Sequence, residues 1–494
     1  MLRCTDNLPL TLYTAAQTRA LDAHIINDGG VPGIQLMLRA SRALFSTLEA
    51  TWPDCDRLQV FCGKGNNAGD AYLLAALAVE RGYQLQLWQV GEAPGSGDAL
   101  LARQRAEAAG VVARPWQGEQ PTEGVIVDGL LGTGLRGEVR PGFAEAIDAI
   151  NASALPVLSV DVPSGLCSDS GRRLGVAVRA AVTVSFIALK RGLFTADAAD
   201  HVGHLYFSDL DAPAVSFGEN PEAQRLELDH ALAALPERAR GAHKGHFGHV
   251  LVVGGDDGMA GAVVLAASAA ARSGAGLISC ATRSAHLPGL LACRPEVMGH
   301  GVESVSALAP LLEKASVVVI GPGLGQQRWG RSLLKAVLAT SLPAVLDADA
   351  LNLLGSASAL QRSAPTLLTP HPGEASRLLD CSTADIQADR FAAARKLREL
   401  TGATVLLKGA GSIIADEDGL AVSNYGNPGM ASGGMGDVLS GVLGALLAQG
   451  LSAGEAMRLG VCAHGAAADM AALKGERGLL ASDVIEELRS VLNG

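Results

Sequence analysis

Short runs of β-branched and aliphatic residues recur along the chain with longer amphipathic or Ala-rich stretches between them. That alternation is the sequence form of a parallel sheet with crossover helices. In the first half the pattern predicts strands at Leu58 to Phe61, Leu85 to Val90, Val125 to Val127, Val157 to Val160 and Val182 to Ile187, with a helix over Gly69 to Arg81. Between Asp211 and Gly248 it lapses. Pro213, Pro221 and Pro236 and the polar run Gly218-Glu219-Asn220 interrupt it, which marks a domain junction. It then restarts with strands at Val250 to Val253, Val317 to Ile320, Ala344 to Leu346, Thr366 to Thr369 and Thr404 to Leu407. The halves show no mutual repeat, so the reading is a fusion of two different α/β domains, over 1–215 and 226–494.

Composition agrees with this picture and narrows it. A chain of 494 residues exceeds one ordinary core. Hydrophobic residues make up 48% and aromatics only 4%, so Ala, Val and Leu build the interior, and 60 glycines imply many tight strand-to-helix turns. A formal net charge of -11 opposes a nucleic-acid or anionic-membrane surface. The eight cysteines, Cys4 among them, form no C-x-x-C pair, so neither a zinc site nor a disulfide framework is expected. Met1 to Asp22 carries Asp6 and no sustained apolar run, and a cytoplasmic location is expected. Val438 to Leu451 is shorter than the ~20 residues that span a bilayer. It reads as a buried core helix.

The candidate chemistry lies in the turns that end the strands, the usual place for ligands in open α/β sheets. Gly63-Lys64-Gly65-Asn66-Asn67-Ala68-Gly69-Asp70 stands between a strand and a helix, where N–H groups can hold an anion. It fits a dinucleotide fingerprint formally, but the next strand ends Trp88-Gln89-Val90-Gly91 without an acidic residue, and Lys64 does not stand in a Walker A frame. Two further turns supply oxygens: Val127-Asp128-Gly129-Leu130-Leu131-Gly132-Thr133-Gly134 and Val160-Asp161-Val162-Pro163-Ser164-Gly165. Singly, Asp128 or Asp161 reads as a turn or cap residue. Together the three turns offer oxygen ligands of low charge, which suit a monovalent cation such as K⁺.

In the second half Asn427-Pro428-Gly429-Met430-Ala431-Ser432-Gly433-Gly434-Met435-Gly436-Asp437 runs directly into the apolar helix. Converging N–H groups and the helix dipole would grip a phosphoryl group there, with Asp437 placed as general base. An Asp that merely caps its helix is the plainer alternative. Four more turns follow strands: Gly254 to Ala262, Gly321 to Gly325, Thr369-Pro370-His371-Pro372-Gly373-Glu374 and Lys408 to Ser412.

The first set of motifs resembles the NAD(P)H-hydrate epimerase domain, a Rossmann-like family, over roughly Thr11 to Leu210. The resemblance implies K⁺ held by Asn67, Asp128 and Ser164. It implies hydrated nucleotide held by Asn66, Asn67, Ala68, Gly69 and Asp70 and by Gly132, Thr133, Gly134, Leu135, Arg136, Gly137 and Glu138, with catalytic Asp161 against the nicotinamide ring. This chain has Ala68 and Ala71 where that family commonly has Gly. The second set, with His243-Lys244-Gly245-His246-Phe247-Gly248, resembles the ribokinase-like superfamily and, within it, the ADP- or ATP-dependent NAD(P)H-hydrate dehydratases, over Leu226 to Gly494. That likeness implies Ala262, Gly323, His371 and catalytic Asp437 facing the hydrated substrate, and Lys408, Gly409, Ala410, Gly411, Ser412 and Gly436 holding the adenine nucleotide. Met435 stands where many relatives have Thr or Ser.

Together these resemblances imply a bifunctional metabolite-repair enzyme acting on hydrated NADH and NADPH (NADHX and NADPHX), with ADP and Mg²⁺ at the second site. No nucleic-acid or membrane partner is expected, and a homo-oligomer is. Two alternatives stay open: a ribokinase-like kinase for a small vitamin alcohol, and a first domain that serves as a binding or scaffold module.

Overall fold

The computed structural model describes residues 5–212 and 220–494. Cys4, Pro213, Gly218 and Glu219 lie outside the described residues. The chain forms two compact units that divide between Gln224 and Arg225.

The first unit carries β1 (Thr11–Tyr13), β2 (Arg57–Cys62), β3 (Gln84–Gln89), β4 (Ala113–Pro115), β5 (Val125–Gly129), β6 (Val157–Val160), β7 (Val182–Phe186), β8 (Leu189–Lys190), β9 (His204–Ser208) and the start of β10 (Ala223–Arg225). Its main sheet has the order β4-β3-β2-β5-β6-β7-β9, and every neighbouring pair is parallel. β5, β6 and β7 are buried at every position because helices cover both faces, and the polar side chains within them, Asp128, Ser159, Thr183 and Ser185, are buried and hydrogen-bonded. Winding reverses between β2 and β5, and that switch point opens a crevice beyond their carboxyl ends. β8 pairs parallel with β1, Lys190 opposite Tyr13.

The second unit carries β11 (His249–Val253), β12 (Leu277–Thr282), β13 (Met298–Gly301), β14 (Val317–Ile320), β15 (Ala344–Leu346), β16 (Thr366–Leu368), β17 (Thr404–Leu407), β18 (Ser412–Asp416) and β19 (Gly419–Ser423). The order β13-β12-β11-β14-β15-β16-β17 is parallel, and β17, β18 and β19 continue it antiparallel. Helix Met435–Ala448 is the expected core helix, with Val438, Val442, Leu443, Ala445 and Leu446 fully buried. It packs closely because glycine stands at the crossings. A Cβ on Gly441 would lie 2.1 Å from the Ala266 carbonyl oxygen, and one on Gly444 would lie 2.4 Å from Val319 Cγ2. Each large aliphatic side chain so buried contributes about 1.5–3 kcal/mol. No helix among the described residues is long and apolar enough to cross a membrane.

Candidate active sites

In the first unit, β2 turns through Gly63-Lys64-Gly65 into helix Asn66–Glu80. Gly65 caps this helix without a side-chain hydrogen bond, so the first N–H groups stay open to a ligand. Gly63 is required: a Cβ there would lie 2.1 Å from the Leu130 carbonyl oxygen. Beyond the strand ends lies a cavity of about 660 Å³, lined by Asn66, Asn67, Asp70, Gly132, Thr133, Gly134, Leu135, Arg136, Glu138 and Asp161. Ala68, Gly69 and Gly137, singled out with them, do not line it. Ala68 and Gly69 are buried in the first helical turn, where a Cβ on Gly69 would strike Met37 Sδ at 2.5 Å.

Asn67, Asp128 and Ser164 meet behind this cavity. Ser164 Oγ donates to Asp128 Oδ1 at 2.5 Å, while Ser164 N and Ser159 Oγ donate to Oδ2 at 2.8 and 2.9 Å. Asn67 Nδ2 donates to the Val160 carbonyl at 2.6 Å, and Gly132 leaves room for Asn67 Oδ1, which would stand 2.1 Å from a Cβ at that position. Burial pushes the Asp128 carboxyl up, against the hydrogen bonds from Ser164, Ser159 and Leu130 that pull it down. A fully buried carboxylate ringed by neutral oxygens is a donor set that fits a weakly hydrated monovalent cation.

At the other side of the cavity Asp161 holds a left-handed backbone, φ 65°. Its Oδ1 accepts from Ser185 Oγ at 3.1 Å and Phe186 N at 3.2 Å, and it forms an ion pair with Lys190. Lys190 is 1% exposed and also donates to Ser185 Oγ at 3.2 Å and the Phe186 carbonyl at 3.0 Å. Two more carboxyls share the space. Burial raises Asp22 to about 6, with the Asp161 charge adding to the rise and Lys190 and Arg19 opposing it. Burial, then the charges of Asp161 and Asp22, push Asp70 well above the usual carboxylate range. The cavity thus combines an ion-paired carboxylate with carboxyls that retain a proton more readily, the arrangement that acid and base roles require.

In the second unit, helix Met435–Ala448 starts after Gly434, φ 92°, again without a side-chain cap. Asp437 stands in its first turn, and burial with the charge of Asp347 lifts its carboxyl to about 7. Lys408, just after β17, donates to Asp347 Oδ1 at 2.8 Å, and a Cβ on Gly436 would lie 3.4 Å from Lys408 Nζ. The turn after Lys408 is braced from below. Buried Arg390 donates to the carbonyls of Leu407, Lys408 and Gly411 at 3.3 to 3.4 Å, and Ser412 Oγ bonds Gly409 across the turn. His371 caps helix Pro372–Leu379. Its Nδ1 accepts from Gly373 N at 3.0 Å and Glu374 N at 3.3 Å, which places the ring proton on Nε2, 3.4 Å from Glu374 Oε1. Ala262 and Gly323 are neighbours: a Cβ on Gly323 would lie 3.2 Å from that of Ala262. The fold therefore places the residues singled out in this half beyond the ends of β14, β16 and β17 and in the first turns of helices Ala260–Arg272 and Met435–Ala448.

The family model described as YjeF-related protein N-terminus matches residues 33–192, and the one described as NAD(P)H-hydrate dehydratase matches residues 250–490. The bifunctional NAD(P)H-hydrate repair enzyme of Coxiella burnetii is 47% identical, over 98% of this chain and 99% of its own. The chain belongs to the bifunctional NAD(P)H-hydrate repair enzymes. The Escherichia coli member of this repair family is 42% identical, over 99% of this chain and 95% of its own. A crystal structure of a ribokinase-like superfamily protein from Enterococcus faecalis matches 56% of this chain and 97% of its own, with 28% identity and a TM-score of 0.51.

Four polar residues of this family member escaped the sequence reading. Asp347 and Asp349 follow β15 in Val345-Leu346-Asp347-Ala348-Asp349, the same strand-end Asp signal that singled out Asp128 and Asp161. Lys190 closes an apolar segment, and a lysine ending such a run was the available clue. Asp22 lies in the N-terminal helix Ala15–Asn27, away from any Gly-rich turn, and left no signal.

Proposed function

We propose that this protein repairs hydrated NADH and NADPH in two steps, one in each unit. In the first, the R and S epimers of the hydrate interconvert in the cavity beside Asp161 and Lys190. In the second, the S epimer is dehydrated at the expense of ADP, yielding NAD(P)H, AMP and phosphate. The observation that carries this reading is the placement of Asp437 in the first turn of an uncapped helix, beside the Lys408 ammonium.

Chemically, hydroxide is a poor leaving group and phosphate a good one. Asp437 would take the proton of the ring hydroxyl as its oxygen attacks the terminal phosphoryl of ADP, and AMP would depart. The phosphate ester would then leave the ring as inorganic phosphate with loss of the adjacent ring proton, restoring the dihydronicotinamide double bond. Lys408 would offset the phosphoryl charge while the Gly436 N–H and the turn over Gly409 to Ser412 hold the nucleotide. His371 Nε2 would donate to substrate, and Ala262 and Gly323 would let it approach closely. In the first unit Asp161 would lie against the nicotinamide ring, and the open N–H groups over Asn66 to Asp70 with Gly132 to Glu138 would hold the rest of the hydrate.

Asn67, Asp128 and Ser164 would hold K⁺, whose positive charge would balance the buried carboxylate and brace the nucleotide turn. Mg²⁺ would accompany the ADP diphosphate; no cluster of three or more His, Cys, Asp or Glu side chains that could hold a metal is found among the described residues. A cytoplasmic homo-oligomer completes the proposal.

The test is to supply pure S-epimer of hydrated NADPH with ADP or with ATP and follow the return of the dihydronicotinamide absorbance. Recovery with inorganic phosphate released supports repair. A phosphorylated product without recovery would mark a small-molecule kinase instead.

A further inference from the structure

Asp347 follows β15 and is 1% exposed. Its Oδ1 accepts from Lys408 Nζ at 2.8 Å and from Thr369 Oγ1 at 2.8 Å, and its Oδ2 accepts from Ser440 Oγ at 2.7 Å. The donors come from the ends of β17 and β16 and from helix Met435–Ala448. Ser440 stands three residues after Asp437, so the two share a helix face. One carboxylate thus ties two strand ends to the helix whose first turn carries Gly436 and Asp437.

The backbone around it is shaped for this placement. Ala348 holds φ 46°, ψ -116°, a region that side chains disfavour by on the order of 1–3 kcal/mol. The kink sends Asp347 toward Lys408 and Asp349 toward another turn: Asp349 Oδ2 accepts from Gly325 N at 2.9 Å. Gly321 admits the kink, since a Cβ there would lie 1.8 Å from the Asp347 carbonyl oxygen.

Resting on the phosphoryl-transfer reading above, we propose that Asp347 is a positioning residue for that step: it fixes the Lys408 ammonium beside the Gly436 turn, where the transferred phosphoryl group must pass. The charged and titratable groups facing Lys408 are Asp347, Glu374 and Asp437 on the acidic side, with His371 and His464 as the other titratable neighbours. Asp437 feels Asp347, Lys408 and Asp349. Burial pulls the Lys408 ammonium down, but Asp347, then Glu374, more than restore it, so it stays protonated. For Asp347 burial acts upward, and the Lys408 charge with the bonds from Lys408, Ser440 and Thr369 outweighs it, so it stays ionised.

Asp347→Asn keeps the size and a hydrogen-bonding oxygen while removing the charge. The expected results are a rise of about ten-fold in KM for ADP as Lys408 loses its anchor and a move of the acid limb of kcat/KM toward lower pH, by about one unit, as Asp437 loses a neighbouring negative charge. A merely structural residue would lower activity and leave the acid limb in place. Asp347→Asn combined with Lys408→Met should cost little more than Lys408→Met alone, because one residue acts through the other. An unmoved acid limb with unchanged KM, or additive losses in the double variant, overturns the proposal. If Asp347→Asn fails to fold, Thr369→Val decides. It leaves the charge and frees the carboxylate, so KM for ADP should rise with the acid limb fixed, and an unchanged KM overturns the proposal. Wild-type ADP-dependent recovery is the reference arm: its absence overturns the phosphoryl-transfer reading itself, whereas a normal wild type with unaltered variants overturns only the role of Asp347.

Discussion

Ser164 Oγ lies 2.5 Å from Asp128 Oδ1, and the backbone N–H of the same serine reaches Asp128 Oδ2 at 2.8 Å. One residue thus supplies two of the hydrogen bonds that oppose the upward push of burial on the Asp128 carboxyl. Ser164→Ala removes one of them and is expected to destabilise the protein by about 1–3 kcal/mol. If these oxygens hold K⁺, potassium chloride raises the wild-type Tm above that in an equimolar salt of a bulky cation, by binding linkage. The variant should lose most of that difference. Equal Tm values for wild type in both salts would remove the cation from the account.

Lys190 and Asp161 form an ion pair in the first cavity. Lys190→Met leaves a mostly buried carboxylate without its cation, which is expected to cost about 3–5 kcal/mol. R-to-S exchange of the purified hydrate should fall by at least about 100-fold. Chemical denaturation and the exchange rate check the two halves of this prediction. Wild-type exchange in a folded variant would show that the pair is only structural.

The pH dependence of the second site follows from Asp437. In the proposed role of general base it works ionised, so kcat/KM should rise with pH and level off above about 7. The sign for stability is opposite. A carboxyl held above its unfolded value favours the folded state while protonated, and that contribution is lost as pH rises from about 4 toward about 7. Asp437→Asn should therefore abolish turnover while narrowing the difference between denaturation midpoints at the two ends of that window. A pH-rate profile flat through this window would contradict the base assignment.

Gly321 has φ 129°, and a Cβ there would lie 1.8 Å from the Asp347 carbonyl oxygen. Gly321→Ala is expected to cost about 2–4 kcal/mol and to reduce ADP-dependent turnover, because it displaces the kink at Ala348. An unaltered melting curve and turnover would show that the kink relaxes freely.

Legibility in the sequence followed burial. Val157–Val160, Val317–Ile320, Ala344–Leu346 and Thr404–Leu407 end where the apolar runs end, because strands covered on both faces are mostly apolar to their last residue; Ser159 and Thr404 are their polar positions. Leu277–Thr282 was not anticipated: Ser279 interrupts its apolar run and Cys280 and Ala281 are not β-branched, while Ser279 is satisfied by His249 Nε2 at 2.9 Å. Met298–Gly301 holds two glycines and reads as a turn. Helix Asn66–Glu80 begins three residues before the expected Gly69, since its glycine cap gives no side-chain signal.

At the sites, the Gly-rich and strand-end motifs were readable because each is local. Lys190 with Asp161, and Lys408 with Asp347, pair across 29 and 61 residues, and only the sheet order brings them together. Asp22 reaches the first cavity from a helix near the N-terminus, a placement that no local pattern announces.

In the proposed repair one chain restores both epimers of the hydrated cofactor. Its most direct test is the recovery of dihydronicotinamide absorbance from a mixed R and S preparation of hydrated NADPH with ADP, for wild type, Asp161→Ala and Asp437→Asn. Full recovery is expected for wild type, an early plateau at the S fraction for Asp161→Ala, with further rise no faster than exchange without protein, and no recovery for Asp437→Asn. Full recovery by Asp161→Ala at the wild-type rate, or any ADP-dependent recovery by Asp437→Asn, would contradict it.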